Sequence, residues 1–381
     1  MGRRLRIVRA LGLVVGGIAL AALLIEGGLR AMPHYLPRDA RLTLDLFRVA
    51  IAMDSVEVGD PELGLKWKPG SDVLVEGHPE YRYHVKTYLN FPDAGFRGNV
   101  VPRPIVGVAV GDSFTFGLGV EAEEAWPELL SRLAGRNFAN LGVVNYGPPQ
   151  YTRVLQRYGP PLRPNIVLYS LYLDNDLGDA YYFARWQRKG GLYKPFFYGT
   201  SRFLARHLRL YQLLASPWSE ARVMRAAADR NAPILQVRTQ PVEGLTIAWE
   251  AVQQAILSAH RLADEAGAEM VVLLVPSKAQ TYRSRVKIQG LIQAHLSVLD
   301  EYSRRVVQLC QGQGIRCLDL TPRFQERDLA GEQLYFHIDG HWNATGHRLA
   351  ARTIYDYLVS ERLLEGASGE PRGRSHPRNQ H

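Results

Sequence analysis

The stretch VGVAVGDSFTFG, residues Val106–Gly117, joins a short apolar run to a serine that lies between two glycines. The apolar run does not alternate with polar residues, which is typical of a strand buried on both faces of a parallel sheet. A serine directly after such a strand can be held on a tight turn at the sheet edge, with backbone N–H groups close to its hydroxyl. Ser113 is therefore a candidate nucleophile, although an ordinary turn between a strand and a helix would explain the same residues.

Three more apolar runs of the same kind follow along the chain, at residues 165–173, 270–275 and 315–320. Before the second of these runs, the segment Ile247–Ala266 carries apolar residues at three- and four-residue steps. It stops at Gly267, which is a favourable end for a helix. Strands that alternate with helices predict an α/β class, with a mostly parallel sheet that is covered by helices on both sides.

A lead-in, residues 31–103, precedes this pattern, and an insertion, residues 179–244, interrupts it. The lead-in is rich in Pro, Gly and Tyr and is typical of short strands joined by turns. The insertion is rich in aromatic residues and arginine, with an amphipathic stretch at Ser201–Leu214. It could line or cover a site, or face a membrane or a partner. Residues 363–381 are rich in Gly, Ser, Pro and Arg, and we expect a disordered tail.

The N-terminus, residues 1–30, has the pattern of a signal anchor. Four arginines lie within the first nine residues, and the uncharged run Ala10–Ile25 follows them. As a helix this run rises about 24 Å, slightly less than the roughly 30 Å of a bilayer core, and Glu26 then interrupts it. We expect an uncleaved transmembrane anchor rather than a signal cleaved at Ala19–Ala21. The arginines predict that the tip stays in the cytoplasm and that the rest of the chain is periplasmic or extracellular.

The composition of the 381 residues, 46% hydrophobic and 22% charged, is that of a globular protein. The formal net charge is +9, but no basic patch interleaved with aromatic residues indicates nucleic-acid binding. Cys310 and Cys317 could pair in an oxidising compartment or remain two half-buried thiols. No Cys/His spacing suggests zinc, and we expect neither a metal ion nor another cofactor.

A base for Ser113 is available near the C-terminus, where the sequence reads HIDGHWNATGH from His337 to His347. Asp339 can orient His341 if the backbone turns through Gly340, and a serine nucleophile needs such an oriented base. A metal site is the alternative, because His337, Asp339 and His341 alternate and would share one face of a strand. The separate serine at a strand end favours the serine–histidine–aspartate interpretation.

These blocks resemble those of the SGNH hydrolases, also called GDSL esterases. Besides the Ser113 and Asp339–His341 blocks, Asn140–Gly147 occupies the place of the family's Asn-x-Gly block. Asp174-Asn175-Asp176 follows a buried run, as the family's Asn-Asp block does. The four blocks occur in the family order between about Val106 and Tyr357. The resemblance implies a flavodoxin-like three-layer α/β/α fold for a catalytic domain at residues 104–362.

The resemblance also implies a role for each matched residue. Ser113 would be the nucleophile, His341 its base and Asp339 the group that orients the base. The oxyanion would be held by the N–H of Ser113, by the amide of Asn175 and by an N–H of the second block. Asn145 stands where the family usually has the donating glycine, and Gly142 is the alternative donor. The Asp-x-His-Trp spacing is similar to that of cell-surface polysaccharide O-acetylation proteins.

Three functions are compatible with these residues. The first is an exported, membrane-anchored serine O-acyl esterase or O-acetyltransferase, acting on envelope or extracellular carbohydrate through an acyl-enzyme. The second is a lipid-directed hydrolase of the lysophospholipase or thioesterase type, for which a deep apolar channel beside Ser113 would be expected. The third is a non-catalytic scaffold in exopolysaccharide assembly. The expected partners are an acylated carbohydrate or another ester, the membrane and exopolysaccharide assembly proteins, but not nucleic acid.

Overall fold

The computed structural model describes residues 2–98, 104–191, 200–215, 245–285 and 290–365. A long helix opens the chain, and a second helix leads into two small antiparallel sheets. In chain order these elements are α1 (Gly2–Ala31), α2 (Arg38–Val56), β1 (Glu57–Asp60), β2 (Gly64–Trp67), β3 (Asp72–Val75), β4 (Tyr83–Asn90) and β5 (Gly95–Arg97). Strand β1 pairs with β2, and β4 pairs with both β3 and β5. The lead-in therefore contains short strands, together with a helix that its sequence pattern did not predict.

Five parallel strands form the central sheet. They are β6 (Ile105–Val110), β7 (Asn137–Asn140), β8 (Ile166–Leu171), β9 (Glu269–Leu274) and β10 (Arg316–Asp319). Their order across the sheet is β10-β9-β8-β6-β7, and all neighbouring pairs are parallel. The predicted α/β class with a parallel sheet is confirmed.

Helices cover both faces of this sheet. In chain order the helices after β5 are α3 (Ser113–Phe116), α4 (Trp126–Ala134), α5 (Pro148–Tyr158), α6 (Leu173–Arg188), α7 (Thr200–His207), α8 (Arg209–Ala215), α9 (Leu245–Glu265), α10 (Lys278–Thr281), α11 (Leu291–Gln313), α12 (Thr321–Leu329) and α13 (Ala344–Ser360), of which α7 and α8 pack on α1 and α2 instead of the sheet. Val108 and Val110 of β6 belong to a core that includes residues of α5, α6 and α9. Val106 and Ala109 of the same strand belong to a second core, with residues of α4 and α13. The fold therefore has the three α/β/α layers that the resemblance implied.

The strand order places a crevice at the carboxyl end of β6. This strand comes first in the sheet along the chain, yet β7 lies on one side of it and β8 on the other. Connections that leave neighbouring strands in opposite directions open a crevice at their carboxyl ends, where ligands bind in such folds. Ser113 follows β6 and Asn175 follows β8, so both lie at this crevice.

The edge strand β7 is the one strand of the central sheet that the apolar runs did not predict. Its four residues read NFAN, and the two asparagines leave no continuous apolar run. The strand is defined by its neighbour instead, because Phe138, Ala139 and Asn140 lie opposite Gly107, Val108 and Ala109 of β6. Pairing in the tertiary structure has overridden a weak local signal.

A buried arginine joins the lead-in to the turn that carries Ser113. Arg97, the last residue of β5, is almost completely buried and donates hydrogen bonds to the carbonyls of Phe116, Gly117 and Val120. It also donates to His84 O at 3.0 Å, within the lead-in itself. Burial lowers the pKa of Arg97 to about 10, which still leaves it charged at neutral pH. The lead-in is thus packed directly against the serine turn.

The N-terminal helix is exposed along its apolar length. Within it, Ile7–Ala31 is long and apolar enough to cross a membrane, and this is the one such helix in the described part of the chain. In the insertion, the amphipathic stretch Ser201–Leu214 forms α7 and α8 rather than one helix. Residues 192–199 and 216–244 of the insertion, and residues 366–381 of the predicted tail, lie outside the described residues.

Both cysteines are free thiols. Cys310 on α11 is buried and Cys317 on β10 is half-buried. A hydrogen bond with Cys310, together with burial, raises the pKa of the Cys317 thiol far above its ordinary value. The structure thus matches the second alternative for this pair, two partly buried thiols.

Candidate active site

The Gly-Asp-Ser motif forms a tight turn between β6 and α3. Asp112 precedes the helix, and its Oδ1 atom accepts a hydrogen bond from Phe114 N at 2.9 Å, which is a typical N-cap. A Cβ atom on Gly111 would come within 2.2 Å of Thr115 Oγ1, so this position requires glycine. At the other end Gly117 takes a left-handed conformation, with φ 83°. The two glycines therefore fix the short helix that begins with Ser113.

Ser113, His341 and Asp339 form a hydrogen-bonded relay. Ser113 Oγ lies 2.7 Å from His341 Nε2, and His341 Nδ1 lies 2.5 Å from Asp339 Oδ1. The same carboxylate oxygen accepts from the backbone N–H of His341 at 2.8 Å, which is the turn through Gly340 that the sequence predicted. Both ring nitrogens of His341 are thus hydrogen-bonded within the relay.

The carboxylate of Asp339 is strongly held in its charged form. Burial alone would raise its pKa, but the facing charge of His341 and the two hydrogen bonds from that residue hold the pKa well below its usual range. A charged carboxylate fixes the tautomer of the imidazole and stabilises the imidazolium that forms when the base takes a proton.

Asn175 lies at the start of α6 and is oriented by the residue that precedes Ser113. Its Nδ2 atom donates to Asp112 Oδ2 at 3.2 Å. One N–H of the amide is used in this bond, and a primary amide carries a second one. Asp176, the next residue, is completely buried and accepts from Tyr172 N at 2.8 Å and Tyr151 Oη at 2.5 Å. These bonds fix the turn that presents Asn175.

The two candidate oxyanion donors of the second block, Gly142 and Asn145, have different surroundings. The N–H of Gly142 donates to Asn140 Oδ1 at 2.9 Å, and a Cβ atom there would lie 2.4 Å from Phe116 N. Gly142 is therefore a packing position under the serine helix, and its N–H already has a partner. Asn145 is exposed and has φ 65°, the left-handed conformation that asparagine tolerates better than other non-glycine residues.

The loop before His341 is held by a glutamate of the lead-in. Glu80 Oε1 accepts from His337 N at 2.5 Å, and Oε2 accepts from the N–H groups of Ile338 and Asp339, both at 2.8 Å. One carboxylate thus satisfies three successive backbone donors. Sequence reasoning missed Glu80, because nothing near it in the chain indicates a contact with residues more than 250 positions away.

Two aromatic side chains of the lead-in reach the far side of Asp339. Tyr81 Oη donates to Asp339 Oδ2 at 3.1 Å, and the His78 ring stacks on Tyr81 with ring centroids 3.9 Å apart. Burial, and then the negative charge of Asp339, raise the pKa of Tyr81, so its hydroxyl stays a donor. Burial lowers the pKa of His78 against the opposing pull of Asp339.

Lys278 supports the same loop from the other side of the crevice. Its Nζ atom donates to Phe336 O at 2.8 Å and to His337 O at 2.7 Å. The side chain is buried, and burial lowers its pKa to about 8. Lys278 follows β9, a predicted strand, but its residue type alone gave no reason to place it at the site.

A cavity of about 80 Å³ lies beside the relay. Its lining consists of Phe114, Tyr172, Asp174, Asn175, Lys278, Ala279, Asp339, Gly340 and His341. Six of these nine residues have polar side chains. The cavity is thus small and lined by both polar and apolar groups, and it is not a deep apolar channel.

One family model matches the chain. Residues 238–374 match the model described as an SGNH hydrolase-like domain, acetyltransferase AlgX. The matched segment contains Asp339 and His341 but not Ser113. This match confirms the resemblance to the SGNH hydrolases. It supports a relation of the chain to acyl esterases and acetyltransferases.

Several solved structures are similar to the chain. The chain is similar to an acetyl xylan esterase, AlAXEase, with 12% identity over 66% of this chain and 100% of that one and a TM-score of 0.39. It is also similar to a GDSL-like lipase from Bacteroides thetaiotaomicron VPI-5482, with 11% identity over 69% and 92% of the two chains and a TM-score of 0.35. No curated protein matches the chain.

Proposed function

We propose that this protein is a serine O-acyl esterase or O-acetyltransferase that works through an acyl-enzyme on Ser113. The observation that carries the proposal is the relay itself, with contacts of 2.7 Å from Ser113 Oγ to His341 Nε2 and 2.5 Å from His341 Nδ1 to Asp339 Oδ1. A hydroxyl, a base within hydrogen-bond distance and a carboxylate that orients the base are the parts that nucleophilic acyl transfer requires.

In the first half-reaction His341 takes the proton of Ser113 while Oγ attacks the ester carbonyl. The negative charge that develops on the carbonyl oxygen would be held by the N–H of Ser113, the second amide hydrogen of Asn175 and the N–H of Asn145. Each such donor contributes about 10²–10³ in rate. His341 then gives its proton to the departing alcohol oxygen, and the acyl group remains on Ser113.

In the second half-reaction a new hydroxyl attacks the acyl-enzyme. His341 takes the proton of the attacking group, the bond from Ser113 Oγ to the acyl carbon breaks, and the proton passes to Oγ. Water as the attacking group makes the protein an esterase, and a sugar hydroxyl makes it a transferase. The two activities share every residue of the relay.

The shape of the cavity favours a short acyl group and a polar substrate. Its volume of about 80 Å³ is small beside the roughly 300–1,000 Å³ of sites for drug-sized ligands. Polar side chains such as Asp174 and Lys278 in its wall favour hydroxyl-rich substrates over an alkyl chain. This supports an acetylated carbohydrate of the envelope or extracellular matrix over a long-chain lipid. The acetyltransferase description of the matching family model agrees with it.

The proposal includes a location outside the cytoplasm. Helix α1 would anchor the chain in the membrane, with the arginines near its start on the cytoplasmic side. The catalytic part would then face the periplasm or the exterior, where polysaccharides and the proteins that assemble them are the available partners.

Covalent labelling with a fluorophosphonate probe tests the nucleophile. We expect labelling of the wild-type protein and of Ser297→Ala, which removes an exposed hydroxyl on α11, but none of Ser113→Ala. Absence of labelling in folded wild-type protein would support the scaffold alternative instead. Hydrolysis of p-nitrophenyl acetate should exceed that of the octanoate, whereas the reverse preference would support the lipid alternative. Mass spectrometry of an added oligosaccharide then separates transferase, which acetylates it, from esterase, which releases only acetate.

A further inference from the structure

The acidic residue at the end of the N-terminal apolar run is buried against the insertion. Glu26 is only 8% exposed. Its carboxylate accepts from Arg209 N at 3.1 Å and Leu210 N at 2.9 Å, which are the first two residues of α8. A carboxylate at this position satisfies backbone donors that have no partner inside the helix. Glu26 therefore joins α1 to α8.

Further contacts fix the same junction. Arg30 donates to Glu26 Oε1 at 2.7 Å and to the carbonyl of His207 at the end of α7. In the other direction, Arg209 Nη1 donates to Leu29 O at 2.6 Å. Helix α7 is also tied to α2, where Arg206 Nη2 lies 2.9 Å from the buried carboxylate of Asp54. Both short helices are thus held at the last turns of α1.

This junction lies where a membrane-spanning α1 would leave the hydrocarbon. The uncharged run Ala10–Ile25, preceded by Arg9, rises about 24 Å as a helix, slightly less than the roughly 30 Å thickness of a bilayer core. Glu26 follows it immediately, so α8 begins at the level of the lipid headgroups on the side where the rest of the chain lies.

Several exposed side chains near this junction are apolar, and one is a guanidinium. Phe203 of α7 is 62% exposed, and Leu214 of α8 is 75% exposed. Met32 and Tyr35, just after α1, are exposed as well. The guanidinium of Arg30 donates to the carbonyl of His207, whose ring contacts that of Phe203. Aromatic and apolar side chains mixed with cations are typical of segments that lie in the interfacial plane of a bilayer.

We propose that α7 and α8 form an interfacial element whose Phe203 and Leu214 side chains insert between lipids, while the nearby guanidinium of Arg30 faces anionic headgroups. The occupant of this surface is the bilayer that holds α1, because the surface is continuous with that helix. The inference rests on the membrane anchoring in the proposed function. Since α6 begins beside Asn175 and leads into the insertion, the element would hold the active site close to the membrane surface.

Tryptophan quenching by brominated lipids tests this inference on the full chain in vesicles of phosphatidylcholine and phosphatidylglycerol. The variants are Phe203→Trp, Leu214→Trp and, as matched control, Leu329→Trp, which replaces a 73% exposed leucine at the end of α12. After subtraction of the wild-type signal, we expect quenching of the first two tryptophans by more than half and little quenching of the third. Equal, weak quenching at all three positions overturns the inference.

Flotation of the vesicles separates this inference from the proposed anchoring. Protein that does not float with the vesicles shows that α1 is no anchor, and the proposed location then fails. Protein that floats without quenching at Phe203→Trp and Leu214→Trp keeps its anchor but leaves α7 and α8 in water or against a second copy, which contradicts the interfacial element. Hydrolysis of p-nitrophenyl acetate checks that each variant is folded.

Discussion

Tyr81 donates its hydroxyl hydrogen to Asp339 Oδ2, the carboxylate oxygen that His341 does not use. The two residues are 258 positions apart in the chain. Both oxygens of the carboxylate therefore have partners, one from the base and one from the lead-in. Because a carboxylate bound on both oxygens cannot rotate freely, Tyr81 helps to set the direction in which Asp339 faces the imidazole.

Removal of this hydroxyl tests its contribution. We expect Tyr81→Phe to lower kcat/KM for p-nitrophenyl acetate by about tenfold or more, since a hydrogen bond to a charged group contributes about 1.5–3 kcal/mol. Tyr88→Phe, which changes an exposed tyrosine on β4, is the matched control and should leave the rate unchanged. Equal rates for both variants would show that Asp339 is oriented without Tyr81.

Replacement of Asn175 tests the oxyanion assignment. Asn175→Ala should lower kcat by about 10²–10³ with little change in KM, because the amide donates to charge that exists only in the transition state. Asp112→Asn should lower kcat as well, since it disturbs the bond that orients the amide. The measurement is steady-state hydrolysis of p-nitrophenyl acetate. A change confined to KM would instead make Asn175 a ground-state binding residue.

The left-handed backbone at Asn145 predicts opposite effects of two substitutions at this position. Glycine adopts positive φ without strain, so Asn145→Gly should keep the N–H in place and keep kcat within about threefold of the wild type. Asn145→Val should lower both kcat and the free energy of unfolding, because a β-branched residue tolerates left-handed backbone much less well than asparagine does. Loss of activity in the glycine variant would mean that the asparagine side chain itself takes part.

The depressed pKa of Lys278 predicts that the free energy of unfolding increases at alkaline pH. Its pKa of about 8 in the folded protein lies below the roughly 10.4 of an unfolded lysine. A depressed folded-state pKa contributes stability that is complete above the unfolded value and is lost as the pH falls through the folded value. The free energy of unfolding of the wild type should therefore rise relative to Lys278→Met between pH 8 and 10.

Urea unfolding at several pH values provides the measurement for Lys278. Lys189→Met, which removes an exposed ammonium group just after α6, is the control and should show a much smaller pH-dependent difference. A constant difference between the wild type and Lys278→Met across this range would contradict the depressed pKa.

The parts of the site that could be predicted from the sequence are those with local causes. Unalternating apolar runs located β6, β8, β9 and β10, and the spacing of Asp339 and His341 fitted a turn through Gly340. The remaining parts depend on docking of distant segments. No local pattern could place Glu80, Tyr81 or Lys278 at the loop before His341. Only the structure shows that the N–H of Gly142 already has a partner.

The hydrogen bonds that Glu80 accepts from the loop before His341 also have an evolutionary consequence. Three backbone donors of the loop depend on a single carboxylate in a segment that precedes the nucleophile. A change in the length of the loop before His341 would leave that carboxylate facing the wrong atoms unless the connection between β3 and β4 that carries Glu80 moved too. Among homologues of this chain, insertions in the two segments should therefore occur together, and chimaeras that exchange only one of them should lose function.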